Sequence, residues 1–179
     1  MAAALALLTP TPAAAADEID PGLYDLVDAV AQRLQTADPV AAAKWINGGS
    51  ITDPVRAEQV LVAISAEAES RGVPVDFVRQ VFIDQIDANE SIQYTRFAQW
   101  KLDPAAAPAW APPLSASRET IDALNRRIVG GIAEQFPVLQ AVDCPLPLES
   151  ARAGVAAARH LDDLYRRALD VATRSYCTG

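Results

Sequence analysis

Histidine occurs once in the 179-residue chain, as His160. A multi-histidine metal site is therefore excluded, and a zinc centre has little to build on. With no ligand pattern around it, His160 reads as a surface or packing residue. No G-x-S-x-G, G-x-G-x-x-G or Walker loop is present. That removes the nucleophile elbow, the dinucleotide turn and the P-loop. Aromatic residues are only 6% of the chain, glycine is sparse, and β-branched runs are short. With alanine dominant, this composition predicts an all-α protein. Lysine is nearly missing: of the 15 lysines and arginines, only Lys44 and Lys101 are lysines. Arginine suits planar, bidentate recognition of carboxylates. A net charge of −8 argues against nucleic acid as a partner.

The first stretch, "MAAALALLTPTPAAAADEID", reads as a processed leader. An apolar run gives way to small residues, and the alanines before Asp17 fit an A-x-A cleavage site, so cleavage is expected after Ala16. The expected division is a leader over 1–16 and one helical domain over 17–179. Residues 1–16 hold no Lys or Arg, so the usual positive start of such a leader is missing, and a disordered alanine-rich tail is the alternative. Elsewhere no stretch approaches the ~20 apolar residues of a membrane helix. Export would make the two cysteines informative: in an oxidising compartment, a Cys144–Cys177 disulfide is the simplest reading, against two free thiols.

Helical periodicity organises the rest. Residues 19–47 read as a long first helix with Leu23, Leu26, Val27, Val30 and Leu34 on one face, kinked at Pro39. "NGGS" at 47–50 ends it. Asp53 caps a second helix, Pro54 opens it, and Gly72 follows its end at Arg71. A third runs from Val75 to Lys101, and "LDPAAAPAWAPP" is an extended connector. Ser115 or Ser117 is expected to cap a fourth helix reaching Phe136, with Gly130-Gly131 marking close packing or a bend. A last helical region spans 148–176, in one or two pieces. The expected architecture is a single bundle of about five or six helices.

Polar residues then stand out. Arg33 and Lys44 are eleven residues apart, about 1100° of helical turn and so about 20° from the same stripe. Alanine and valine around them favour burial of that stripe. Two buried cations need an anion between them. Asp53 and Arg56 open the second helix. Asn89 and Gln93 lie one turn apart on the third, with Glu90 beside them. Arg118 is expected in the first turn of the fourth helix, where free N–H groups also favour anions. Each feature alone reads as an ordinary surface pair; their order and spacing together carry the signal.

That order resembles the all-helical AroQ-class chorismate mutases, in particular the exported gamma subgroup. The matching segments are "RL…ADPVAA.KW" (33–45), "I.D..R.EQ" (51–59), "VFIDQI.A.E.I.Y.RF..WKL" (81–102), "LSASR..ID.LN" (114–125) and "RHLD.LY.RAL..AT.SYC" (159–177). The resemblance implies a secreted or periplasmic isomerase that makes prephenate from chorismate without cofactor or metal. It places that activity in phenylalanine and tyrosine precursor metabolism on the shikimate pathway. The anion between the two cations would be chorismate, a dicarboxylate. Arg33, Arg56 and Arg118 would bind carboxylates, and Lys44 the breaking ether oxygen and one carboxylate. Gln93 would donate to the same oxygen, Glu90 accept from the substrate hydroxyl, and Asp53 position its cationic neighbours. The resemblance also implies a homodimer with one site per chain. Two positions depart from the family pattern: Asn89 stands where Ser or Thr is frequent, and Val60 where a close pattern has glutamine. Alternatives are an exported helical binding module of the same fold without turnover, and a lyase releasing pyruvate from isochorismate.

Overall fold

The computed structural model describes residues 20–178; the expected leader and its cleavage point lie outside the described residues. Those residues form seven α-helices and one 3-10 turn, with no strand among them: α1 (Pro21–Gln35), α2 (Ala37–Asn47), α3 (Pro54–Ser70), α4 (Val75–Leu102), the turn Pro104–Ala106, α5 (Leu114–Leu139), α6 (Pro145–Ala158) and α7 (Asp163–Ala172). The C-terminal region is two helices, within the expectation of five or six, and the seventh arises because the first rod breaks in two.

Helix α1 is central, packing against α5, α6, α7 and α4. Leu23, Leu26, Val27, Val30 and Leu34, the stripe read from periodicity, are all buried. Asp20 starts the helix by accepting from the Leu23 amide at 2.8 Å. The break with α2 falls at Thr36, three residues before Pro39. Proline lacks the N–H that would reach back to residue 35, so the ladder opens upstream of the ring. Thr36 fills the gap: its amide and its hydroxyl both donate to the Arg33 carbonyl, at 3.2 and 2.7 Å.

Asp53 and Pro54 open α3 as expected, with the Asp53 carboxylate accepting from the Arg56 amide at 3.0 Å. Gly72, at φ +69, follows its end. Helix α5 corrects the expected cap. It begins at Leu114 behind Pro113, with no side-chain cap, so Ser115 and Ser117 lie inside it and Arg118 is past the first turn. Pro113 fixes φ and the extended entry unaided. The glycine pair reflects close packing: a Cβ on Gly131 would stand 3.1 Å from Leu26 Cδ1, and α5 runs through it unbroken.

Aromatic contacts join α2 to α4, with Trp45 edge-on to Phe97 and Trp100 at 5.1 and 5.6 Å. Cys144 and Cys177 form a disulfide, Cα–Cα 5.7 Å. His160 is exposed, at φ 51 just past the end of α6. Among the described residues no helix is long and apolar enough to cross a membrane.

Candidate active site

One cavity is lined by residues from five helices, and all eight expected site residues lie on its wall. Helix α1 gives Arg33, α2 gives Lys44, the start of α3 gives Asp53 and Arg56, α4 gives Asn89, Glu90 and Gln93, and α5 gives Arg118. Val40, Ile51, Val60, Ile86 and Leu114 supply apolar wall between them.

Arg33 is buried, at 4% exposure. Its Nε donates to Asn125 Oδ1 at 2.8 Å and a terminal nitrogen to the Gln85 carbonyl at 3.2 Å. Neutral acceptors thus hold the guanidinium, and no carboxylate lies within ion-pair distance among the described residues. Burial pushes its pKa down to about 10, and nearby Arg56 adds to this, against Tyr176 and Asp122. Lys44 is half-buried and donates to the Ile51 carbonyl at 2.6 Å. Its pKa is also lowered, chiefly by burial and further by Arg118, against the pull of Glu90 and Asp53. Both cations are destabilised as they stand, which is how a site built for an anion looks when only protein surrounds it.

Arg56 is held differently, by an ion pair with Asp122 at 2.5 Å. Glu90 accepts from the Thr52 hydroxyl at 2.9 Å, and that hydroxyl also meets Tyr94 Oη at 2.8 Å. Gln93 Nε2 donates to Asn89 Oδ1 at 2.7 Å, and Asn89 Nδ2 donates to the Arg33 carbonyl at 3.3 Å. Asn89 is therefore engaged with protein as well as facing the cavity. Arg118 is exposed at the rim.

The sequence reading missed Thr52, Tyr94, Asp122 and Asn125. Asp122 and Asn125 follow Arg118 by four and seven residues on α5, which is the helical spacing of one face. That spacing was the available signal. Thr52 and Tyr94 had none, because their pairing joins a loop to a helix 42 residues away.

The cavity carries four cations and two carboxylates, a positive excess inside a chain of net charge −8. Local charge decides what binds. The charge and helical walls of the cavity suit a small anion with more than one negative group. The comparisons give the chain a family. Residues 14–94 match the model of chorismate mutase type II. Over 167 residues the chain is 54% identical to the secreted chorismate mutase of Mycolicibacterium smegmatis, covering 93% of this chain and 92% of that one. It is 48% identical over 155 residues to the secreted chorismate mutase of Mycobacterium tuberculosis, covering 87% and 78%. A crystal structure of chorismate mutase from Burkholderia thailandensis superposes with a TM-score of 0.84 at 33% identity, covering 88% of this chain and all of that one. The chain belongs to the type II chorismate mutases, a family of isomerases.

Proposed function

We propose that this cavity rearranges chorismate to prephenate in an exported protein. The observation that carries the reading is the pair Arg33 and Lys44: buried or half-buried cations, pKa lowered by burial, with no carboxylate within ion-pair distance of them among the described residues. A dicarboxylate substrate supplies the missing charge. The reaction has one substrate: its ether C–O bond breaks as a C–C bond forms, with no proton transfer and no nucleophile. The protein can therefore act in two ways. Arg33, Arg56 and Arg118 hold the two carboxylates so that the reacting ends meet. Lys44 and Gln93 donate to the ether oxygen as negative charge grows on it. Glu90 accepts from the ring hydroxyl. Asp53 orders the start of α3 and thereby Arg56.

The wall of the cavity comes from one chain, so a homodimer, as the resemblance suggests, would hold one complete site per chain. Sedimentation over a concentration series tests the dimer. The leader expected over 1–16 is tested by N-terminal sequencing of secreted protein, which should begin at Asp17. Loss of chorismate absorbance, with prephenate identified in the product, tests the activity. Binding without turnover supports the binding-module reading instead, and pyruvate released from isochorismate the lyase.

A further inference from the structure

The reading of the site asks Gln93 to present N–H, not C=O, to the reacting oxygen. A glutamine amide is nearly symmetric in shape, and turning it over exchanges a donor for an acceptor at almost no steric cost. Something has to choose. Gln93 is 3% exposed, and its Oε1 has no partner among the described residues.

We propose that Asn89 is the positioning residue that fixes the direction of the Gln93 amide, and that the Arg33 main-chain carbonyl fixes Asn89. A carbonyl oxygen can only accept. It lies at the turn where α1 breaks, accepting from the Thr36 amide and hydroxyl at 3.2 and 2.7 Å and from Asn89 Nδ2 at 3.3 Å. Asn89 must turn its NH2 towards that oxygen, which leaves Oδ1 for Gln93. Gln93 must then turn its own NH2 to Asn89, and does, at 2.7 Å. Reversing Gln93 would set two carbonyl oxygens face to face at that separation. One N–H of Gln93 is engaged by this bond, and its second is left for the cavity that the side chain lines. The chain of command runs from the break at Thr36 through Arg33 and Asn89 to the reacting oxygen, and each link has one allowed polarity.

This inference rests on the chorismate mutase reading, and the experiment separates the two. Wild-type turnover of chorismate tests the reading. The lock is tested first without substrate, by the side-chain 1H–15N signals of Gln93. One of its two amide protons should be protected from exchange in the free protein, and that protection should vanish in Asn89→Ala. A wild-type Gln93 amide with no protected proton overturns the proposal whatever the protein catalyses.

Kinetics give a second test, in which one substitution acts with opposite signs. In the wild-type background Asn89→Ala frees the amide to turn over, so kcat should fall several-fold with a smaller change in KM. Gln93→Glu has a single acid proton, and Asn89 Oδ1 competes for it, so that variant should stay at least tenfold slow even at acid pH. Adding Asn89→Ala to Gln93→Glu removes the competitor and should raise the acid-side rate several-fold. Gln93→Glu running at wild-type rate on the acid side with Asn89 in place overturns the proposal. So does Asn89→Ala changing KM alone, or lowering the rate in both backgrounds.

Discussion

Lys44 is the residue whose loss should cost most. Its ammonium is held by a single backbone carbonyl, from Ile51, with donors to spare for the ether oxygen. Lys44→Ala should lower kcat by the scale of one deleted oxyanion donor, about 3 kcal/mol of barrier. Steady-state kinetics would show it, and an unchanged kcat would remove Lys44 from the reaction centre. The pKa of Lys44 gives a second expectation. Burial lowers it in the free protein, so the charge is lost, as pH rises, earlier than for an ordinary lysine. Bound carboxylates would raise it again. The alkaline fall of kcat/KM, which reports the free enzyme, should therefore lie at lower pH than the fall of kcat, which reports the complex. Paired pH–rate profiles decide it, and the reverse order would mean that Lys44 faces no substrate anion. At this scale the sequence was legible for groups that face the cavity, since charged or amide residues on an apolar stripe stand out. Asn125 and Asp122 were not, because their role is to hold another side chain. A residue that acts on Arg33 or Arg56 is recognisable only once both elements have been placed.

Helices carried the clearest signals, and their joints the weakest. Asp53-Pro54 and Gly72 bounded α3 from sequence because each acts on its own neighbours: a carboxylate on the Arg56 amide, a positive φ after the last turn. The start of α5 was misplaced because two serines offered caps that a preceding proline made unnecessary. The break in the first rod was displaced from Pro39 to Thr36 because proline acts on the turn before it. Between α2 and α3, residues 48–53 do more than connect. Ile51 holds Lys44, Thr52 holds Glu90, and Asp53 orders the helix that carries Arg56. That loop leaves α2 through Gly48, whose φ is +74. A Cβ there meets nothing within 4 Å, so Gly48→Ala tests backbone strain alone. It should cost about 1–2 kcal/mol of stability. As the loop shifts, KM for chorismate should rise more than kcat falls. Denaturant titration with kinetics checks both, and a stability loss with unchanged KM would mean that the loop positions nothing.

At the scale of the whole molecule, the last helix and the tail after it are tied to the bundle by several independent links. The Cys144–Cys177 bond joins residues 33 apart in sequence. Asp84, fully buried on α4, accepts from Arg174 and from Ser175, both at 2.5 Å, and Gln140 donates to Thr178 at 2.5 Å. Tyr176 is fully buried between these points, close enough to Arg33 to influence its charge. The disulfide therefore has little to do in holding the folded tail, and its effect should fall on the unfolded chain. Closing a loop of that length removes about 3–4 kcal/mol of unfolded-state freedom. For a domain of this size that corresponds to a melting shift on the order of 10 °C. Reduction should lower the melting temperature by that amount while leaving chorismate turnover at ambient temperature near its original value, since the hydrogen bonds to Asp84 and the burial of Tyr176 persist. Thiol labelling before and after reduction, with melting curves and rates on the same samples, checks the expectation. A large loss of turnover on reduction well below the melting point would mean that the bond holds the native tail, and that the tail reaches the site through Tyr176 and Arg33.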